Sequence, residues 1–245
     1  MILLENLTKR FGDLTAVNDL TLEVRPGEFF VVLGPNAAGK TTTIKMMAGL
    51  IRPDQGRAVV GGFDIQKQPV EARKIMSYVP DFPFMYEKLT PTEFIRFVGD
   101  LFGVPRGSIE EKSEEMIAYF NLGEYRHELI ENLSHGTRQR VAIAAALLHD
   151  PKVFVIDEPM VGLDPKHARL VKDILRKRTR ERGMTVFLST HQLSMAEELA
   201  DRIGIIHRGR LLALGTPAEI LSRSGSDTAL EDVFLRITQE EVPGL

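Results

Sequence analysis

Eight residues, Gly34 to Thr41, constrain the fold of this 245-residue chain more than any other part of its sequence. They read Gly-Pro-Asn-Ala-Ala-Gly-Lys-Thr, which fits the pattern G-x-x-x-x-G-K-[ST]. The continuously apolar run Phe29–Leu33 before them is typical of a strand buried on both faces, and residues 41–50 have a helical pattern. A glycine loop between such a strand and helix begins an α/β fold and turns backbone N–H groups toward an anion.

The chemistry of this loop predicts a site for the phosphates of a nucleotide. Lys40 would reach the β- and γ-phosphates, and the hydroxyl of Thr41 would ligate magnesium. The structural alternative is a glycine turn that happens to precede Lys-Thr, and the flanking strand and helix disfavour it. The candidate nucleotide-binding residues of the loop are Gly34, Pro35, Asn36, Ala37, Ala38, Gly39, Lys40, Thr41 and Thr42.

A pair of carboxylates follows a second apolar run, residues 153–156. Asp157, at the end of this predicted strand, is a candidate magnesium ligand, and Glu158 is suited to polarise an attacking water molecule. The alternative is two solvated charges that close a strand, and it would prevail if the phosphate loop were missing. Together the two motifs indicate a P-loop NTPase in which Lys40 and Glu158 are catalytic.

The remaining apolar runs predict an α/β core that is interrupted by a mostly helical segment. Further strands are expected at residues 1–4, 20–24, 185–189, 202–207 and 210–213. Helices are expected at residues 91–102, 108–120, 136–149, 165–182, 191–201 and 228–238. Such an alternation of strands and helices is typical of a parallel or mixed sheet.

Composition and charge exclude several classes of protein. The chain has no cysteine, which removes disulfide scaffolds, cysteine-ligated metal sites and cysteine nucleophiles. Its net charge of −3 gives no basic surplus for holding a nucleic acid. The longest apolar run, residues 141–148, falls far short of the roughly 18 residues that span a bilayer. The N-terminus does not resemble a signal peptide, so we expect a partner to hold the chain at any membrane where it acts.

A third motif, Leu133-Ser134-His135-Gly136-Thr137, resembles the L-S-G-G-Q signature of ABC ATPases. Other motifs of that family are matched in order along nearly the whole chain. Phe11 matches the aromatic residue that stacks on adenine, and residues 78–81 match the Q-loop. Residues 161–165 match the D-loop, and His191 matches the switch histidine. The chain therefore resembles the nucleotide-binding subunit of an ABC transporter, in particular the exporter-type branch.

The resemblance assigns roles to three residues outside the phosphate loop. Phe11 would stack on the base, Asp81 of the Q-loop would bind the nucleotide and magnesium, and His191 would contact the γ-phosphate as a catalytic residue. The structural alternatives are ordinary packing for Phe11 and a hydrogen-bonded polar side chain for His191.

The resemblance also implies a single ABC ATPase domain over residues 1–245, made of a P-loop NTPase core, an antiparallel β subdomain and an inserted helical subdomain. The core and its β subdomain would take residues 1–81 and 151–220. The helical lobe with the signature would take residues 82–150, and residues 221–245 would form a C-terminal helix and tail.

Implied cofactors and partners follow from the same family. ATP with Mg²⁺ would lie between the phosphate loop of one subunit and the signature of another, paired head to tail. Ser134 and the N–H of Gly136 would contact the γ-phosphate across this interface. The second subunit would be another copy or a paralogous ATPase. An integral membrane transporter subunit would hold the pair at the cytoplasmic face of the cell membrane, and nucleic acid is not expected as a partner.

The sequence departs from the family pattern at four positions. Ala37 replaces a glycine, and we expect no loss there because alanine fits a negative φ. His135 and Thr137 replace a glycine and a glutamine of the signature. Asp81 replaces the Q-loop glutamine; it would still ligate magnesium but would add negative charge beside the other carboxylates. Alternatively, the Asp81 side chain points to solvent and caps a turn before Pro83.

The function classes left open are a transport motor, a soluble ABC ATPase acting on nucleic acid or ribosomes, and a regulatory nucleotide-binding module with little turnover. The aromatic loop, residues 82–86, favours the first, because it suits a groove for a helix of a membrane partner. The second class generally carries two cassettes, a coiled-coil insertion or cysteine-bound metal. The intact Lys40, Asp157, Glu158 and His191 argue against the third, whereas Asp81 argues slightly for it.

Overall fold

The computed structural model describes residues 1–222 and 230–239. In chain order, its strands are β1 (Ile2–Phe11), β2 (Leu14–Val24), β3 (Phe29–Leu33), β4 (Gln55–Val60), β5 (Phe63–Asp64), β6 (Met76–Val79), β7 (Val153–Asp157), β8 (Thr185–Thr190), β9 (Arg202–His207) and β10 (Arg210–Gly215). Its helices are α1 (Lys40–Met47), α2 (Pro69–Lys74), α3 (Pro91–Leu101), α4 (Arg106–Tyr119), α5 (His135–Leu147), α6 (Pro165–Arg182), α7 (Leu193–Leu199), α8 (Pro217–Ser222) and α9 (Leu230–Gln239). Among the described residues, no helix combines the length and apolar character that crossing a bilayer requires.

A six-stranded sheet in the order β10-β9-β3-β8-β7-β6 forms the centre of the fold. Neighbouring strands run parallel except β10, which pairs antiparallel with β9, so the predicted mixed sheet is confirmed. Every residue of β3, β7 and β8 is buried, as parallel strands covered on both faces must be. The parallel order brings the carboxyl ends of these three strands to one edge, where open α/β sheets bind ligands.

A second, antiparallel sheet has the order β2-β1-β4-β5. Its inner residues share one apolar cluster with the central sheet, in which Leu4 and Val60 pack with Phe30 and Phe187. The rings of Phe30 and Phe187 lie 5.4 Å apart. This is the antiparallel β subdomain that the family resemblance implied.

Several elements differ from the sequence prediction. The strand expected at residues 1–4 continues to Phe11, β2 begins well before residue 20, and β4, β5, β6, α2 and α8 were not predicted. The start of β4, Gln55-Gly56-Arg57, is exposed and polar, so it carries no apolar signal. Gly56 is required there because a Cβ would lie 2.2 Å from the carbonyl oxygen of Glu5 on β1.

Residues 82–150 fold into α3, α4 and α5 with short 3₁₀ turns and no strand, as expected. A capping box begins α3: the Thr90 side chain accepts from the Glu93 N–H, and the Glu93 side chain accepts from the Thr90 N–H. One apolar cluster joins this segment to the central sheet, with Phe94 and Val141 packed among residues of β3 and β7. The segment therefore packs directly on the core.

The C-terminal helix α9 packs on the same core through Leu230 and Val233. Of the helix expected at residues 228–238, positions 228–229 lie outside the described residues, and so does the end of the expected tail, residues 240–245. The division of the chain into the expected subdomains stays a prediction.

Candidate nucleotide-binding and catalytic site

The phosphate loop connects β3 to α1 and depends on a glycine at each end. A Cβ on Gly34 would lie 2.4 Å from the carbonyl oxygen of Ile206, and a Cβ on Gly39 would lie 2.4 Å from that of Ala16. Gly39 also has a φ of 103°, which residues with a Cβ avoid. Both positions therefore require glycine for the loop to adopt this conformation, as the motif indicated.

Lys40, the first residue of α1, is folded back over the loop. Its Nζ donates hydrogen bonds to the carbonyl oxygens of Gly34 at 2.7 Å and Pro35 at 3.1 Å. The side chain is 6% exposed, and Glu158 Oε1 lies 3.9 Å from Nζ. Burial lowers the pKa of Lys40, while Glu158 and Asp157 act to raise it. A buried ammonium held by neutral carbonyls can gain a stronger partner in a phosphate oxygen.

Asp157 ends β7 and faces the first turn of α1. Thr41 Oγ1 donates to Asp157 Oδ2 at 2.7 Å, and Ser189 Oγ donates to the other carboxylate oxygen. Hydroxyl and carboxylate oxygens are the ligands that Mg²⁺ prefers, so Thr41 and Asp157 fit the expected magnesium site. Ser189 was not predicted as a site residue, although its position near the end of a buried strand was a signal for it.

Glu158 leaves β7 with a φ of 46°, a left-handed conformation that is uncommon for residues other than glycine. Its Oε1 lies 2.9 Å from Nδ1 of His191, and Thr190 Oγ1 donates to its Oε2 at 3.2 Å. With the Lys40 ammonium nearby, three side chains fix this carboxylate. The structure thus brings together Lys40, Glu158 and His191, the three residues predicted to be catalytic.

A cavity of about 600 Å³ extends from these carboxylates along the phosphate loop, which is within the range of small-molecule sites. Phe11 is half exposed in its wall, where a base could stack on the ring. The predicted site residues in the wall are Phe11, residues 36–42, Asp81, Asp157 and Glu158. The wall also contains four residues that sequence reasoning missed: Leu14, Thr15, Ala16 and Arg208.

Asp81 lies in the cavity wall together with Thr41 and Asp157, at the magnesium end. Its Oδ1 also accepts a hydrogen bond from the N–H of Phe82 at 2.9 Å, so the side chain shapes its own turn. Each interpretation of Asp81 has one supporting observation. Its role as a magnesium ligand stays a prediction.

Ser134 and Gly136 lie outside this cavity, at the N-terminus of α5. Ser134 Oγ accepts from the N–H of Thr137 at 3.2 Å and caps the helix. A Cβ on Gly136 would lie 2.5 Å from the carbonyl oxygen of Gly162, so this position needs glycine. The first turn of α5 is therefore well defined, but it is not part of the cavity in the same chain.

The conformation of Ala37 overturns one expectation. Its φ is 64° instead of negative, and a left-handed alanine costs roughly 1–2 kcal/mol relative to the right-handed conformation. Alanine is therefore a strained residue at a position where the family uses glycine, and the loop holds it there.

A family model described as ABC transporter matches residues 17–161. The chain belongs to the ABC transporter family. It binds ATP with Mg²⁺ as an ATPase of this family, and its two sheets have the fold of ABC cassettes. The chain is 38% identical to the linearmycin resistance ATP-binding protein of Bacillus subtilis (strain 168). The alignment spans 231 residues and covers 94% of this chain and 74% of that protein.

Two solved structures resemble the ABC chain closely. An ATP-binding subunit of an ABC transporter matches with a TM-score of 0.91 and 30% identity, over 97% of this chain and 99% of that one. A dimeric ATP-binding cassette in a post-hydrolysis state, bound to ADP and Pi, matches with a TM-score of 0.81 and 25% identity. The second match covers 88% of this chain and 98% of the other.

The strain at Ala37 leads to a prediction for stability. Ala37→Gly should raise the free energy of unfolding by about 0.5–1 kcal/mol, because the relief of the left-handed Cβ exceeds the extra entropy of glycine in the unfolded chain. The measurement is urea denaturation without nucleotide.

Ala38→Gly is the matched control. Ala38 is 3% exposed and its backbone is not left-handed. Replacing it with glycine should therefore lower the free energy of unfolding by about 1 kcal/mol. If both substitutions destabilise the chain equally, Ala37 is not strained.

Proposed function

We propose that the chain hydrolyses ATP to drive export through a separate membrane subunit, with Glu158 as the general base. The observation that carries this proposal is the position of the Glu158 carboxylate between Thr190, His191 and Lys40. A carboxylate held by several side chains near a phosphate-binding lysine can orient a water molecule for in-line attack. A module without turnover would need no such arrangement.

The other residues of the site have complementary roles. Lys40 exchanges its carbonyl partners for the β- and γ-phosphates, which also separates it from Glu158. His191 keeps Glu158 oriented and faces the γ-phosphate. Thr41, Asp157 and Asp81 would hold Mg²⁺, which supplies positive charge to the phosphates. The remaining loop residues and Phe11 bind the phosphates and the base.

We also propose that two ATPase subunits complete each site head to tail. Ser134 and Gly136 begin α5 outside their own chain's cavity, and the positive end of this helix suits the γ-phosphate of a nucleotide on a second subunit. Support comes from the dimeric cassette that the chain resembles. The second subunit is another copy or a paralogous ATPase.

A second cavity, of about 440 Å³, supports docking to a membrane subunit. It is mostly apolar and is lined by the aromatic loop, α3 and α5, including Phe84, Met85, Val98 and Ala145. Phe84 is fully exposed, and Phe82 and Tyr86 are about two-thirds exposed. An apolar groove rimmed by exposed aromatics suits an amphipathic helix of a partner.

The direction and location of transport follow from the same elements. The resistance protein of Bacillus subtilis is a relative over most of its length, which favours export of a compound that the membrane subunit selects. Docking through the groove makes the chain a peripheral protein of the cytoplasmic face of the cell membrane. With a net charge of −3, we do not propose nucleic acid as a partner.

Replacement of the general base tests the catalytic part of the proposal. Glu158→Gln should bind ATP like the wild type but lose about 10²–10⁴-fold in turnover, because a positioned base contributes on that scale. Turnover is measured as phosphate release at saturating Mg-ATP. Glu71→Gln, an exposed change on α2, is the control and should hydrolyse at the wild-type rate. Equal rates for the two variants would mean that Glu158 is not the base.

A polytopic membrane protein encoded next to this gene would be the candidate membrane subunit with which to test the docking groove. Phe84→Ser should keep the melting temperature, because the side chain is fully exposed, but should reduce copurification of the two proteins at least tenfold. Leu101→Ser removes another exposed apolar side chain of the helical segment outside the groove and should copurify normally. Unchanged copurification of the Phe84 variant would exclude this groove.

A further inference from the structure

The turn between β9 and β10 contains a strained arginine. His207 pairs with Arg210, so the connection is a two-residue turn, Arg208-Gly209, with φ values of 46° and 78°. Such a turn has left-handed residues at both central positions and favours Asn-Gly or Asp-Gly. Arginine is a poor residue for the first of these positions, where its Cβ is crowded by the backbone. Non-glycine residues held in this way concentrate at functional sites.

Backbone hydrogen bonds hold this turn between the phosphate loop and β2, so the turn cannot shift to relieve the strain at Arg208. The Gly209 N–H donates to the carbonyl oxygen of Ala38 at 2.9 Å, and the Gly209 carbonyl accepts from the N–H of Asn18 at 2.9 Å. A Cβ on Gly209 would lie 2.7 Å from the carbonyl oxygen of Ala16. The backbone of Arg208 is therefore anchored beside the middle of the phosphate loop.

Arg208 is one of the residues that line the nucleotide cavity. In the proposed binding mode, Phe11, Leu14 and Ala16 would lie toward the base, whereas Lys40 and Asp157 would lie toward the terminal phosphates. Within residues 1–222 and 230–239, no carboxylate forms an ion pair with Arg208. Arg208 is thus an exposed cationic residue in the wall of the nucleotide cavity.

We infer that Arg208 is a nucleotide-binding residue whose guanidinium contacts the ribose and α-phosphate of the nucleoside triphosphate. This inference rests on the proposed function, which places the nucleotide in the same cavity. A guanidinium presents paired N–H donors that match phosphate oxygens, and an α-phosphate lies between the base and the groups bound by Lys40. Arg208 would therefore raise the affinity for ATP, ADP and AMP, which carry an α-phosphate, but would not raise the affinity for adenosine. It would contribute to nucleotide binding and take no part in the chemical step.

Because the backbone of Arg208 is strained, replacing this residue should raise the stability of the chain while it weakens nucleotide binding. Arg208→Asn puts a residue that tolerates the left-handed conformation in the turn, and it should raise the Tm without nucleotide by about 2–4 °C. The same variant should weaken the binding of ATP and ADP about three- to tenfold in calorimetric titrations. Arg208→Lys should recover most of the affinity, since it keeps the charge.

Arg210→Asn is the matched control. It removes the same charge from the same hairpin, but Arg210 lies outside the cavity and can bond to the Asn18 amide. ATP affinity should stay at the wild-type value in this variant. Equal ATP affinity of Arg208→Asn and the wild type, while Lys40→Ala loses ATP binding, would overturn the role of Arg208 alone. If Lys40→Ala also binds ATP like the wild type, the cavity is not the nucleotide site and both proposals fail.

Discussion

The register of three parallel strands is the constraint on which the whole site depends. Leu33 of β3 is paired with Thr190 of β8, and Asp157 of β7 is paired with Ser189 of β8. These pairings place the phosphate loop, the carboxylates and His191 at one edge of the sheet, although more than a hundred residues separate some of them in the chain. A shift of one residue in either pairing would turn the side chains to the opposite face. Backbone pairing along these fully buried strands defines the register.

At this edge of the sheet, the Lys40 ammonium is placed so that it can exchange its hydrogen-bond partners for a phosphate. The Lys40 ammonium is buried under two carbonyl oxygens, and Glu158 is the nearest carboxylate at 3.9 Å. A triphosphate offers Lys40 a charged acceptor and leaves Glu158 with Thr190 and His191. In the proposed mechanism, Lys40 would couple nucleotide binding to the activation of Glu158. The left-handed Ala37 and Arg208 lie in the wall of the same cavity.

Sequence reasoning predicted the parts of the molecule that have strong local signals. Continuous apolar runs identified β3, β7, β8 and β9, and the glycine loop with Lys40 identified the site, because both patterns are confined to neighbouring residues. The exposed β4 and the short β6 were missed because their conformation depends on pairing with distant strands. The six-residue helix α2 was missed because it is too short to show a clear periodic pattern. The left-handed conformation of Ala37 and the position of Arg208 in the cavity wall also depend on long-range contacts, which no local pattern records. Signature residues Ser134 and Gly136 were predicted by resemblance alone.

In the proposed dimer, one chain supplies half of each catalytic site and a second subunit supplies the rest. Sedimentation velocity of Glu158→Gln with Mg-ATP tests this pairing, because uncleaved ATP should hold two chains together. We expect a dimer with ATP, a monomer with ADP or without nucleotide, and a monomer with ATP when Ser134→Arg is added. A Glu158→Gln chain that binds ATP at saturation and still sediments as a monomer would rule out the pairing.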